Sequence, residues 1–544
     1  MSIRGARRTA WPGAGLVVIG AFLAVFYLLP LGAMLWRGRS WDTLTDVLTS
    51  TAVWKVAWFT LWQAAISTVL TVLVGLPIAY AIARFRFPGR ALLRALVTVP
   101  FVLPTVVVAT AFLSLSDALG LDDDPFRLPG TAWAILAAHV FFNVAVIVRS
   151  VGGYWAQLDD LPEAAARTLG ASWWRTTTNV TLPRLRPALV SASAIVFLFS
   201  FTSFGVVLIL GGLRRATLET EIWRYATQRT DFETAAALGL IQLTAVVAML
   251  AVNSRLRRRV AVTERTRPPS EIERRPTRKG DWAALGAALG LTAVVIGLPV
   301  ALLIERSLAT RTGHGLDYYR ALGQQDERVP LLPVSGWTIV WNSVSWAVLA
   351  AIIATVIGTL AAMITAGPHP RLAQVVDVGF LLPLGTSAVL VGFGMLIALD
   401  TPPVDFRTRW WIVPVAQAVI GIPFVMRTVA TALRSIDPRL REAAATMGAS
   451  PSAVWREIDL PIVSRAVVVG AAFAFAISIG EFGATAFLAR PQRPTVPTAI
   501  FRLLGRPGEL AFGQAMALSV ILMLITVSAV LVIERLRVSV AGEL

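Results

Sequence analysis

The chain has 544 residues, 56% of them hydrophobic, with a formal net charge of +17. Soluble globular chains are about 45–50% apolar, and here the excess falls in blocks of about 20 residues, the length that crosses a bilayer, so a soluble globular protein is excluded. The absence of cysteine excludes disulfides and thiolate metal sites, the three histidines (His139, His314 and His369) are too far apart for a local metal motif, and the arginines sit in short runs beside apolar blocks rather than in a nucleic-acid-binding patch.

Residues 1–15 carry Arg4, Arg7 and Arg8 ahead of an apolar run from Leu16 to Leu35. That run is long for a signal peptide and lacks a small-residue cleavage site, so it reads as a first span with its arginines inside. Twelve spans are predicted. The first six lie near 15–36, 55–83, 91–116, 131–150, 187–211 and 232–253. The second six lie near 283–304, 338–366, 372–398, 410–430, 465–489 and 511–533. Helices satisfy their own backbone inside lipid, whereas a barrel would show shorter alternating segments.

The loops alternate in charge. Arg84, Arg86, Arg90 and Arg94 flank the loop after span two; Arg167, Arg175, Arg184 and Arg186 lie between spans four and five. Asp117, Asp122, Asp123 and Asp124 occupy the loop between spans three and four. This pattern predicts both termini in the cytoplasm. Residues 254–281, with Arg255, Arg257, Arg258, Arg259, Arg274, Arg275 and Lys279 among three prolines, read as a solvated cytoplasmic linker near anionic lipid. They divide a first half, 1–253, from a second, 282–544.

The halves are repeats. Leu-Gly-Ala-Ser at 169–172 recurs as Met-Gly-Ala-Ser at 447–450, and Thr-Leu-Pro at 181–183 as Asp-Leu-Pro at 459–461. Phe204-Gly205 recurs as Phe482-Gly483, and Thr217, Thr220 and Ile222 as Thr495, Thr498 and Ile500. Gly170 and Gly448 are 278 residues apart, and every pair keeps that offset. Six spans per half make the repeat parallel, about an axis along the membrane normal.

The loops before spans five and eleven are the most informative. In the second, Asp437 is placed to cap a helix beginning at Pro438. Gly448 is placed to end it in a left-handed conformation. Ser450 and Pro451 then start another short helix that stops near Pro461. Ala443 to Ala445 leave the first helix open to close approach. The first loop follows the same plan, with Asp160, Pro162, Glu163, Ala164, Ala165, Gly170, Ser172, Leu182 and Pro183.

Glu442-Ala443-Ala444, three residues, Gly448, nine residues, then Ile458-x-Leu460-Pro461 resembles the coupling-loop signature of binding-protein-dependent ABC importer permeases. The first loop matches from Gly170 through Val180, Leu182 and Pro183, while Glu163 sits one residue early. The resemblance implies an all-α integral membrane protein of the type I importer fold. It implies loops that dock on ATPase subunits and pass nucleotide-driven motion to the spans. It further implies two ATPase copies carrying ATP and Mg, an external solute-binding protein, and no catalytic residue or cofactor on this chain. A phosphate loop requires Gly-Lys followed by Ser or Thr; Lys55 and Lys279 are followed by Val56 and Gly280. Fused permeases of this size resemble those for thiamine and for ferric iron. Phe85-Arg-Phe-Pro-Gly-Arg90, Ala138-His-Val-Phe-Phe-Asn143 and Ser478-Ile-Gly-Glu-Phe-Gly483 resemble the thiamine group first; ferric permeases share the last string's acidic-Phe-Gly.

Glu481 is predicted inside span eleven. An ionisable group at that depth faces a bundle interior or a water-filled path. It is therefore a candidate path residue for a cationic solute, opposite its repeat partner Ser203, unless it pairs with a nearby polar group. His139 and Asn143, one turn apart in span four, are expected to bond a neighbouring helix, with solute contact by Asn143 as the alternative. Two other classes remain. An ion-driven twelve-span carrier would lack the paired Glu-Ala-Ala loops. A membrane scaffold for an ATPase would need no path.

Overall fold

The computed structural model describes residues 11–121, 128–212, 215–260, 268–310, 313–324, 331–367, 370–400 and 405–541. Among these, ten helices are long and apolar enough to cross a membrane. They are Gly15–Arg37, Thr51–Arg84, Ala132–Trp155, Trp173–Phe201, Phe232–Leu256, Lys279–Leu308, Gly336–Thr365, Ile412–Ser435, Pro451–Ile479 and Glu509–Ile533. They correspond to ten of the twelve predicted spans.

Spans three and nine differ, because both are broken. Arg90–Val102 and Thr105–Ala118 meet at 107°. Pro104 explains the first break: the residue before a proline is driven out of the α region, and Leu103 is extended at φ −64°, ψ 136°. In span nine, Pro370–Gly385 gives way to Ala388–Ala398, with Ser387 extended and its hydroxyl accepting from Leu390 N at 3.2 Å. Irregular backbone at membrane depth is tolerated where protein covers it. Val106 to Ala109 and Val389 to Leu399 are buried.

Four spans contain a five-residue π-helical turn: Ala24–Leu28, Thr177–Thr181, Ala293–Gly297 and Trp455–Asp459. Each is followed by Leu-Pro: Pro30, Pro183, Pro299 and Pro461. A proline inside an α-helix removes a donor and its ring strikes the carbonyl four residues back. The π turn shifts the ladder by one residue, so the helix continues. The predicted helix stops at Pro183 and Pro461 are therefore corrected: the second loop helices run unbroken into spans five and eleven.

The other ends of those spans also move. Span five stops at Phe201 and span eleven at Ile479, short of the predicted ends, each followed by a bend and a short helix, Gly205–Leu210 and Thr485–Leu488. The Phe-Gly pairs at these bends have a steric reason. A Cβ on Gly205 would lie 2.4 Å from Thr105 Oγ1, and one on Gly483 would lie 2.9 Å from Ala388 Cβ. Glycine lets the second limb of each broken span press against the bend.

Spans one and seven are exchanged. Span one packs on spans eight and nine, with Tyr27 hydroxyl and Thr386 Oγ1 2.5 Å apart. Span seven packs on spans two and three, where Arg306 meets Asp117 at 2.9 Å. The repeat division of the sequence and the packing division thus differ by one helix from each half. Outward positions such as Val69, Leu73, Ile352 and Val356 stay exposed, as lipid-facing residues do.

Candidate functional site

The paired loops adopt the two-helix form read from the sequence. Pro438–Thr446 ends at Gly448, with φ +82°; Leu161–Thr168 ends at Gly170, with φ +83°. Gly448 N donates to Ala445 O at 3.1 Å and Ala449 N to Ala444 O at 3.0 Å. Gly170 N donates to Arg167 O and Ala171 N to Ala166 O, both at 3.0 Å. This is the Schellman closure, which needs a residue free to take positive φ. Ser172 accepts from Arg175 N at 3.4 Å and Ser450 from Ala453 N at 3.3 Å, starting the next helix. Asp437 caps through Arg439 N at 3.0 Å. In the first loop Asp159 accepts from Leu161 N at 3.1 Å, so Asp159 takes the place expected of Asp160.

Ala164, Ala165, Glu442 and Ala443 face outward, while Ala444 turns inward. Just before each glycine an apolar side chain stands clear: Leu169 is 89% exposed and its repeat partner Met447 83%. Burying such residues is favourable, so these loops offer a partner one apolar knob each. Pro183, Leu460 and Pro461 are exposed at the foot of the next span; Leu182 and Ile458 are half-buried.

Glu163 is not the counterpart of Glu442. At the shared offset it matches Arg441, and Glu442 matches Ala164. Glu163 accepts from Thr181 Oγ1 at 3.0 Å and pairs with Arg84 at 3.3 Å. Arg441 pairs with Asp459, which matches Thr181, at 2.7 Å. Both residues tie the loop helix to the foot of the next span with different chemistry. That explains the one-residue displacement in the first loop.

Glu481 lies just beyond the end of span eleven rather than inside it. Its carboxylate accepts from Ala484 N at 2.6 Å and Thr485 N at 3.0 Å, capping Thr485–Leu488. Its partners in the structure are thus two backbone donors. Because Gln offers one acceptor where two donors converge, Glu481→Gln is expected to cost about 1 kcal/mol, the scale of a lost cap. Thermal unfolding in detergent checks this. Unchanged stability with a loss of solute uptake would return the carboxylate to a solute-facing role.

Ser203 Oγ lies 2.8 Å from His139 Nε2, and His139 Nδ1 lies 3.1 Å from Ser67 Oγ. Asn143 donates to Ser200 Oγ at 3.3 Å. His139 and Asn143 thus bond neighbouring helices, as expected for polar groups in a bundle. The residues following Ser203 and Glu481 are the more telling. Phe204 and Phe482, repeat partners, stack with centroids 5.3 Å apart. Trp223 and Phe501, again repeat partners, meet edge to face at 5.7 Å. Phe204–Trp223 at 6.2 Å and Phe482–Phe501 at 5.6 Å close a four-ring circuit between the halves. Extending the 278-residue offset one position past Ile222 and Ile500 reaches Trp223 and Phe501. The recurring threonines hold the helices that carry them: Thr217 N donates to Thr220 Oγ1 at 2.9 Å and Thr495 N to Thr498 Oγ1 at 3.0 Å.

The chain is 28% identical to the thiamine transport system permease protein ThiP of Brucella abortus (strain 2308), covering 99% of each protein. It is 26% identical to the Salmonella typhimurium protein of the same name, covering 90% of this chain and 89% of that one. The sulfate transport system permease protein CysT of Escherichia coli (strain K12) is 32% identical over 44% of this chain and 91% of its own length. Residues 71–262 and 334–538 each match one family, and each match contains one of the paired loops. The chain belongs to that family, the binding-protein-dependent transport system inner membrane components, and carries its domain twice.

Proposed function

We propose that this chain is the fused two-half permease subunit of a thiamine importer. The observation that carries the reading is the pairing of two coupling-type loops, each closed on a left-handed glycine, in a chain that resembles thiamine permeases over nearly its whole length. In this reading both termini and residues 254–281 are cytoplasmic. Two ATPase subunits supply ATP and Mg and dock on Glu442 to Gly448 and on Ala164 to Gly170, with Leu169 and Met447 as apolar anchors. Thiamine arrives on an external binding protein. The path runs between the halves at the four-ring circuit, with Glu481 and Ser203 holding Phe482 and Phe204, and Asn143 bracing Ser200 behind them. Two copies of the ATPase follow from two loops.

The experiment is uptake into proteoliposomes containing this chain and its co-purified ATPase, with thiamine presented on the binding protein. ATP-dependent accumulation of thiamine, absent with ferric iron, is the expected result. Uptake driven by a proton gradient without ATP would instead indicate a carrier. ATPase binding without uptake of any solute would indicate a scaffold.

A further inference from the structure

The linker between the halves was expected to be solvated, yet its described end, residues 268–281, is docked. Arg274 pairs in parallel with Phe85: Arg274 N donates to Arg84 O at 3.0 Å, and Arg86 N to Arg274 O at 2.9 Å. Ile272 is buried. Glu273 accepts from both terminal guanidinium nitrogens of Arg90, each at 2.6 Å. This bidentate bond is the strong form of ion pair. Arg90 beside it, with Arg94 and Arg86 near, holds the Glu273 carboxyl below the usual carboxylate range. The Arg274 guanidinium lies 5.3 Å over the Phe85 ring and grips Asp281 at 2.7 and 2.8 Å. Asp281 in turn caps the start of span seven through Arg278 N at 3.2 Å.

The strap ends on a residue that has a second task. Arg84 gives its carbonyl to the strap and its guanidinium to the first paired loop. That guanidinium is buried, donating to Leu158 O and to Glu163 Oε1, both at 3.3 Å. Glu163 then holds Thr181, in the π turn that opens span five. The second loop is tied differently. Arg441 binds Asp459 and donates to Leu433 O at 3.4 Å, all within the same half. No strap reaches that loop among the described residues.

We infer that Glu273 and Arg274 are positioning residues for the first loop, acting through Arg84, so that the linker orders one of the two loops and leaves the other to order itself. Three tethers converge on Arg84: the strap from span seven, the turn after span two, and the loop helix. Removing the strap frees the Arg84 carbonyl and Arg86 N at the end of the span-two helix, and the guanidinium loses part of the backing that aims it at Glu163. This inference rests on the coupling reading only for its consequence in transport. The placement of the loop is testable without it.

The test is hydrogen exchange on the full chain in nanodiscs, comparing amides of 161–170 with those of 438–448. Glu273→Arg turns a cation onto Arg86, Arg90 and Arg94, and Arg84→Ala removes the link itself. Each is expected to raise exchange in 161–170 at least about fivefold, the lower edge of coupling between sites, and to leave 438–448 unchanged. The double variant is expected to add nothing, because the two residues act in one chain. Glu273→Asp should restore protection. Cutting the linker at a protease site inserted between Glu264 and Arg265, upstream of the strap, should change neither loop. Unchanged exchange in 161–170, equal rises in both loops, additive rises in the double variant, or an effect of the cut equal to that of Glu273→Arg would each overturn the inference. In proteoliposomes, thiamine taken up per ATP hydrolysed should fall with Glu273→Arg. Gly448→Pro serves as the control. If it transports normally while the strap variants still loosen the first loop, the coupling reading fails and the strap stands. If it abolishes uptake while the strap variants alter nothing, the strap fails alone.

Discussion

Gly448→Pro is expected to abolish ATP-driven uptake while the spans remain inserted and folded. Gly448 sits at φ +82°, and proline is fixed near −65°. Proline also has no N–H, so the bond to Ala445 O is lost with the turn. The helix at Pro438–Thr446 and the one beginning at Pro451 would then meet at a different angle, and Met447 would no longer project where it does. The loop lies outside the membrane-spanning helices, so insertion does not depend on it. Gly448→Ala separates the two components of this effect. No atom lies within 4 Å of a Cβ at Gly448, so alanine fits sterically and carries only the left-handed penalty of about 1–2 kcal/mol. Partial uptake is expected for Gly448→Ala and none for Gly448→Pro. Gly170→Pro should act in the same direction through the first loop. Uptake and ATPase co-purification, measured together on each variant, check the result. Full uptake by Gly448→Pro would remove this loop from the coupling machinery.

The parts of the structure legible in the sequence are those set by local chemistry. Gly170 and Gly448 announce left-handed caps because no other residue takes that conformation so readily. Ser172, Ser450 and Asp437 announce caps by their position before helical runs. The apolar blocks locate ten spans, eight of them near their observed limits and spans five and eleven shifted toward the loop helices that run into them, because membrane length is a strong constraint. The breaks in spans three and nine were missed for a physical reason. Leu103-Pro104 and Thr386-Ser387 lie inside continuous apolar stretches, and hydropathy does not register a bend. Pro183 and Pro461 misled in the opposite sense. They marked helix ends by rule, yet a π turn absorbs each proline and the helix continues. Glu481 was displaced from span interior to helix cap because apolar residues continue past Gly480 after the helix has stopped. The exchange of spans one and seven, and the route from Arg274 through Arg84 to Glu163, join residues far apart in sequence. No spacing rule reports such contacts; only the packed structure brings them together.

Replacing Phe204 and Phe482 together by alanine is expected to open an ATP-independent leak. These rings are repeat partners on opposite halves, and their stack at 5.3 Å is where the two bends touch. Both are buried. Truncating a buried Phe costs about 3–5 kcal/mol in a well-packed core, through lost contacts and the cavity left behind. In the proposed transport reading this is a boundary between two halves that move, and there that cavity need not collapse, since Trp223 and Phe501 are held by their own capped helices. Gly205 and Gly483 keep the bends pressed against Thr105 and Ala388, so the backbone does not close the gap either. The expected result is release of thiamine preloaded in liposomes without ATP, ATPase or binding protein. Single alanine variants should leak less, because the remaining ring still meets Trp223 or Phe501. Phe482→Leu, which keeps most of the volume, should stay tight. Thermal stability, followed alongside, separates a leak through a folded path from one caused by unfolding. A double variant that remains folded and holds its contents would make the four rings ordinary core and move the seal elsewhere between the halves.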